Sequence, residues 1–187
     1  PMVGSSAISR WNYSISKLVD EAFGLSYARA NNMKVTVIRF FNTVGPRQTG
    51  RYGMVLPRFV QQAVSNEPIT VFGDGTQTRC FCDVRDTVAA LNALAANPES
   101  VGKIVNVGSD REISILDLAK LVIQRAKSAS EIRFLPQKEA YGEDFQETLR
   151  RRPNLDRFQK LSSFKYAWNL EKTINDLIDR ARKAMSK

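Results

Sequence analysis

The feature that most constrains the fold is an alternation between short apolar runs and longer segments with helical periodicity. The clearest run, VTVIRFFN at residues 35–42, is rich in β-branched residues and nearly continuously apolar, as in a strand covered on both faces. The segment before it, residues 13–31, carries its apolar residues largely on one helical stripe: Ile15, Leu18, Val19, Ala22, Phe23 and Leu25. This alternation predicts an α/β fold.

The same patterns place the remaining elements. Four further helices are predicted, at residues 54–66, 83–98, 114–128 and 169–187. Ser114 and Asp117 have capping-box spacing at the start of the third of these. Further strands are predicted at 103–109 and 131–136, and two short strands flank a Gly-Asp-Gly turn within 68–84. A basic, irregular stretch is expected before the last helix.

Composition excludes several kinds of active site. The 187 residues include no histidine, which excludes Ser-His-Asp hydrolysis, Cys-His proteolysis and histidine-ligated metals. Two cysteines, Cys80 and Cys82, do not make a zinc site, so we expect reduced structural thiols in a cytoplasmic protein and no metal. No apolar run approaches the ~20 residues of a membrane span, and no signal peptide is visible.

The basic residues are unevenly distributed. The formal net charge is +9, of which residues 1–119 contribute +2 and residues 120–187 contribute +7. Such an excess suits an anionic partner such as phosphate, a nucleotide or nucleic acid. The alternative interpretation is a solvated basic surface without a dedicated ligand.

Five segments of the chain form an ordered set: RWNYSISK (10–17), VIRFFNTVGPR (37–47), ITVFGDGTQTRCFCDVRD (69–86), GKIVNVGSDREISILDLAKLV (102–122) and RRRP (150–153). Together they resemble the extended short-chain dehydrogenase/reductase family, in its NAD-dependent nucleotide-sugar epimerase/dehydratase branch. The resemblance implies a partial Rossmann-like parallel sheet with its first half missing, plus a smaller C-terminal substrate-binding α/β subdomain. It divides the single domain, 1–187, into a dinucleotide-sheet remnant at about 10–45 and a mostly substrate-binding part at 46–187.

Tyr13 and Lys17 are the predicted catalytic pair. Residues four apart share one side of a helix, and a nearby cation lowers the pKa of a phenol. The resemblance implies that Tyr13 takes a proton from the sugar while NAD takes the hydride, with Lys17 on the nicotinamide ribose and the backbone around Phe40 near the nicotinamide. The alternative is an ordinary surface Tyr and Lys on an amphipathic helix.

Four residues are predicted to bind the nucleotide sugar. The resemblance places Asn42 on the sugar or its phosphate, Phe72 against the base, and Arg79 and Arg152 on the diphosphate. Arginine suits that last role because its planar fork binds oxygens in pairs. A turn-forming Asn and a core Phe are the alternatives, and Arg150 and Arg151 are interpreted as a solvated run.

The family's cofactor fingerprint has no counterpart among the ten glycines, which contain neither G-x-G-x-x-G nor G-x-x-G-x-x-G. We therefore expect doubtful NAD binding and little or no activity from this chain alone. An exposed edge on the strand at 35–42 predicts a homo-oligomer or pairing with a complementary N-terminal half.

The reaction stays open between epimerase, dehydratase and decarboxylase, although RCF at 79–81 also resembles decarboxylating members. A non-catalytic module that binds nucleic acid or protein through the basic C-terminal third is the other hypothesis.

Overall fold

A computed structural model describes residues 4–8, 10–50, 54–141 and 148–186. The helices in these ranges are α1 (Arg10–Ala30), α2 (Val55–Val64), α3 (Val84–Ala95), α4 (Ile115–Ala126), α5 (Gln137–Tyr141), α6 (Asp156–Leu161) and α7 (Leu170–Met185), with a short 3₁₀ turn at Pro98–Ser100. The strands are β1 (Val37–Phe40), β2 (Thr43–Val44), β3 (Ile69–Phe72), β4 (Thr78–Cys80), β5 (Cys82–Asp83), β6 (Ile104–Val107), β7 (Glu112–Ser114), β8 (Ile132–Leu135) and β9 (Arg150–Arg151). The predicted helices and strands are confirmed, whereas α5, β9 and α6 lie where an irregular stretch was expected.

Parallel strand pairs dominate the architecture. β1 pairs with β6, β2 with β5 and β3 with β8, all parallel, while β4 pairs antiparallel with β7 and parallel with β9. The predicted α/β class with a partial parallel sheet is confirmed. Among the residues described, β1 has a strand neighbour on one edge alone.

The two strands that flank the Gly-Asp-Gly turn do not pair with each other. β3 pairs with β8, and β4 pairs with β7 and β9. Gly73 and Gly75 both have positive φ, at 73° and 76°, which directs the chain out of the β3 sheet. The Gln77 side chain donates to the Phe72 carbonyl at 3.1 Å, so a side chain rather than a returning strand bonds that acceptor.

Two hydrophobic clusters stabilise the fold. The larger joins α2, β3, α4 and α7, with Phe59, Ile69 and Ile174 fully buried. The smaller joins the β1–β6 sheet to α3 and α6, with Leu94 and Phe158 at its centre. Because β6 returns to β1 from far along the chain, residues beyond 45 contribute to the first sheet. The division near residue 45 stays a prediction.

A buried polar cluster ties α7 to the start of α3. Asp83 caps α3 and accepts hydrogen bonds from the Arg85 backbone and guanidinium, and from the Thr173 hydroxyl at 2.7 Å. The Arg85 guanidinium also lies 3.2 Å from the Trp168 ring centroid. Asp86 accepts from the backbone N–H groups of Ala167 and Trp168. These bonds satisfy the buried carboxylates and fix the C-terminal helix.

Helix α1 packs differently from its sequence pattern. Its apolar stripe is largely in solvent, with Phe23 71% exposed and Val19 44% exposed. The side that faces β1 instead carries Glu21, which pairs with Arg39, and Ala28, which is buried. None of the helices described is long and apolar enough to cross a bilayer.

Candidate functional site

Tyr13 and Lys17 lie on the same side of α1. The Lys17 ammonium is 5.8 Å from the centroid of the Tyr13 ring, and Tyr13 is 72% exposed. Lys17 also donates to Asp20 at 2.7 Å, and this hydrogen bond raises the pKa of Lys17. The lysine is therefore cationic at neutral pH and lies beside the Tyr13 ring.

The next two predicted residues, Phe40 and Asn42, lie at the carboxyl end of β1. Phe40 ends the strand and is about half exposed, and Asn42 follows it with a positive φ of 37°. The Asn42 amide donates to the Cys80 carbonyl at 2.7 Å, and Cys82 N–H donates to the Asn42 carbonyl. Asn42 therefore has the turn conformation of the alternative interpretation, and it also fastens the end of β1 to β4 and β5.

Arg79 and Arg152 do not lie on the same side of their sheet. Arg79 of β4 is the register partner of Arg151 of β9, so the side chains of these two residues share one face. Arg152 follows on the opposite face and pairs with Asp110 at 3.2 Å. The strand register therefore brings Arg151 to Arg79.

Arg151 lies next to Arg79 because of the strand register. Three consecutive arginines cannot all point the same way on a strand, but the sequence does not show which of them aligns with Arg79. In the structure the Arg151 guanidinium is 5.6 Å from the Phe41 ring, beside the end of β1. Arg79 donates to the carbonyls of Thr78 and Thr148 at 2.7 and 2.8 Å, which holds its guanidinium near β9.

Arg150 and Arg152 each pair with a carboxylate. Arg150 forms a bidentate pair with Glu112, at 2.8 and 2.7 Å, which is more than a solvated side chain. The hydrogen bond from Arg150 lowers the pKa of Glu112 to about 2.

Phe72 ends β3 in a separate sheet. Its ring lies 4.6 Å from the Arg58 guanidinium of α2, and that guanidinium also donates to the Thr70 carbonyl at 3.0 Å. The loop 73–77 connects Phe72 to β4, so it is close to Arg79 along the chain. The Phe72 ring is half-buried. It is more buried than a ring that is free to stack on a base and less buried than a core phenylalanine.

The cysteines have no catalytic environment. Both thiols are free and buried, and burial raises the pKa of Cys80 and of Cys82 to about 11. No group of three potential metal-ligating residues occurs among the residues described.

The residues present fit one end of a dinucleotide. A phenol and an ammonium on one helix side suit the hydroxyls of a ribose. The positive-φ glycines at 73 and 75 lie between two strands and do not open a helix, so they do not supply a pyrophosphate cradle. Tyr13 and Lys17 would hold the ribose end.

Parallel strand pairs with flanking helices define an α/β protein of the Rossmann-like class. The model of the NAD dependent epimerase/dehydratase family matches residues 4–108. The chain belongs to that family.

Individual relatives agree with this assignment. The chain is 38% identical over 165 residues to UDP-N-acetyl-alpha-D-glucosaminuronate decarboxylase of Bacillus cytotoxicus, covering 87% of the chain and 50% of the relative. It is 34% identical to UDP-glucuronic acid decarboxylase 1 of Xenopus tropicalis, covering 92% of the chain and 39% of the relative. The structure of dTDP-glucose 4,6-dehydratase from Bacillus anthracis, in complex with NAD, superposes with a TM-score of 0.83 at 19% identity, over 100% of this chain and 55% of that one. The chain thus spans half or less of the length of these two curated relatives.

Proposed function

We propose that this chain supplies the substrate-binding side of an NAD-dependent enzyme that acts on a nucleotide sugar, with a UDP-linked uronic acid as the first candidate. The observation that carries the proposal is the paired position of Arg79 and Arg151, next to the end of β1. The names of the two curated relatives, both decarboxylases of UDP-linked sugar acids, favour decarboxylation among the three reactions considered.

The anion site is assigned to Arg79 and Arg151. Two guanidinium groups on one face of β4 and β9 provide paired N–H donors for the oxygens of a diphosphate. Arg152 takes no part in this assignment, because it lies on the other face and pairs with Asp110. Phe72 and its stacked Arg58 lie toward the base, and Asn42 lies toward the sugar.

Tyr13 is assigned as the proton acceptor. In the phenolate form its oxygen accepts the proton of a sugar hydroxyl and becomes a neutral phenol, with the Lys17 ammonium four residues away on the same helix side. NAD, when bound, supplies the hydride acceptor for the same carbon. Lys17 and Tyr13 bind the ribose beside it, and the backbone at Phe40 lies toward the nicotinamide.

The open edge of β1 is assigned to a partner strand. A parallel strand with unfilled backbone donors and acceptors pairs readily with another chain, and Phe40 at its end is half exposed. A complementary N-terminal half or a second copy would complete the sheet and the cofactor site, so the chain alone is expected to be inactive. Sedimentation velocity at rising concentration checks this, and a strictly monomeric chain would contradict self-association.

Calorimetric titration with UDP-glucuronate tests the binding proposal. Binding to the wild-type chain and loss of the signal in Arg79→Ala are expected. Arg125→Ala is the matched control, since Arg125 is an exposed arginine on α4 and its removal changes the net charge equally. Equal heats for Arg79→Ala and Arg125→Ala would reject the anion site.

The alternative of a nucleic-acid module remains a prediction without its own structural support. Several cations of the basic C-terminal third contact internal partners: Arg150 contacts Glu112, Arg180 contacts Asp176 and Arg182 contacts the Ala126 carbonyl. Salt-dependent binding to random DNA, without a response to nucleotide sugars, would favour it.

A further inference from the structure

Glu21 of α1 and Arg39 of β1 form a bidentate ion pair that none of the functional assignments above uses. Arg39 Nε donates to one carboxylate oxygen at 2.7 Å, and Nη2 donates to the other at 2.6 Å. The Glu21 side chain is 13% exposed and the Arg39 side chain 27% exposed. The hydrogen bonds between them lower the pKa of Glu21 and raise that of Arg39, so both groups stay charged.

This ion pair fixes the position of α1 along the direction of β1. Residues 31–36 connect the two elements, and the Glu21–Arg39 contact requires the chain to turn back, so α1 runs antiparallel to β1. Tyr13 precedes Glu21 by two helical turns and a little more, about 12 Å along the axis at 1.5 Å per residue. Asn42 follows Arg39 by three residues, roughly 10 Å along an extended strand. The pair therefore brings Tyr13 level with Asn42.

The ion pair also fixes the rotation of α1 about its own axis. The spacing along α1 is four residues from Tyr13 to Lys17 and four from Lys17 to Glu21, so the three side chains lie on adjoining parts of the helix surface. Apolar packing sets this rotation only in part. Val19, Phe23 and Tyr27 are exposed and Ala28 is buried, while Trp11, Ile15 and Leu25 are half-buried. Without the pair, α1 could roll or slide on the sheet at small cost.

We infer that Glu21 and Arg39 are positioning residues, which hold α1 so that the Tyr13 hydroxyl faces a sugar bound beside Asn42. The inference rests on the proposed function for the role of Tyr13. The geometry that it requires, Tyr13 beside the end of β1, can be measured whether or not a ligand binds.

Paramagnetic relaxation measures that geometry directly. A nitroxide is attached at Asn12→Cys, an exposed position next to Tyr13, while Cys80 and Cys82 stay unlabelled because they are buried. The label should broaden the Asn42 amide resonance in the otherwise wild-type chain. Glu21→Gln and Arg39→Gln should each lose that broadening, and the exchanged pair Glu21→Arg with Arg39→Glu should regain it.

Glu99→Gln is the matched control, since it removes one acid from the exposed Lys103–Glu99 pair and should leave the broadening unchanged. Unchanged broadening in folded Glu21→Gln would overturn the inference. If the single variants do not fold, the exchanged pair decides: retained broadening supports the positioning role, and lost broadening contradicts it.

Titration with UDP separates this inference from the proposed function. The anion site lies on β4 and β9, so Glu21→Gln should bind UDP as the wild-type chain does while losing the broadening at Asn42. A wild-type chain that fails to bind UDP would reject the proposed function, and the relaxation result would still stand for the ion pair.

Discussion

Arg79 and Arg151 occupy register-paired positions in the parallel strands β4 and β9, while Arg152, one residue further, lies on the other face beside Asp110. This single-residue offset separates two arginines that look equivalent in the sequence. It gives the first prediction, because one of them should matter for an anionic ligand and its neighbour should not.

Arg151→Gln should weaken the binding of UDP by roughly tenfold or more, since a hydrogen bond to a charged group contributes about 1.5–3 kcal/mol. Arg152→Gln removes the same charge one position away and should leave the affinity near that of the wild-type chain. Calorimetry on the two variants measures the difference. A larger loss in Arg152→Gln than in Arg151→Gln would reverse the assignment.

The Thr173 hydroxyl should stabilise the fold through Asp83. Thr173 is 1% exposed and donates to Asp83 at 2.7 Å, so Thr173→Val leaves a buried carboxylate oxygen without this donor. The expected loss in the free energy of unfolding is about 1–3 kcal/mol, measured by urea denaturation. Thr76→Val is the control, because Thr76 makes a bond of the same length to Asp74 in solvent. Equal losses in both variants would contradict the role of burial.

Glu112 should make stability depend on acid pH. Its pKa is lowered from 4.5 to about 2 by the bond from Arg150, so the folded state keeps it ionised where the unfolded chain is protonated. Its contribution is therefore complete above the unfolded value and lost as the pH falls through the folded value. Between pH 4.5 and 2, the urea midpoint should fall more steeply for the wild-type chain than for Glu112→Gln. Glu139→Gln, an exposed glutamate of α5, should follow the wild-type curve.

Cys80 and Cys82 should resist thiol reagents in the folded chain. Burial raises the pKa of each thiol to about 11, so the reactive thiolate is scarce at pH 8 and access is blocked. Ellman's reagent should react slowly with the native chain and with both thiols at once in urea. Rapid reaction of either thiol without denaturant would show that β4 or β5 opens readily.

Much of the fold could be predicted because local pattern and tertiary structure agree. The residues of α2, α4 and α7 that are apolar at helical spacing are the ones that form the larger core. β9 could not be predicted, because LRRRP has no apolar alternation and becomes a strand through its pairing with β4. The exposure of Phe23 could not be predicted either, since periodicity shows that a helix has an apolar side but not what covers it.

The sequence predicts which types of residue make up the candidate site better than it predicts how their side chains are arranged. The spacing of Tyr13 and Lys17 requires them to share a helix side, and they do. Asn42 ends the predicted strand as expected, but its bond to Cys80 depends on a strand 38 positions away in a separate sheet. The relation of Arg79 to Arg151 depends on strand register, which the sequence of one strand does not contain.

Each of the five strand pairs described joins segments that are remote in the sequence: Val37 with Ile104, Thr43 with Cys82, Ile69 with Ile132, Thr78 with Ser114 and Thr78 with Arg150. A long loop must close before each of these strand pairs can form, so the chain should fold slowly. Its partly folded species should expose unpaired strand edges that promote aggregation. During synthesis β1 leaves the ribosome long before β6 exists to pair with it. Chaperone supply and expression temperature should therefore govern the yield of folded protein more strongly than any single side chain.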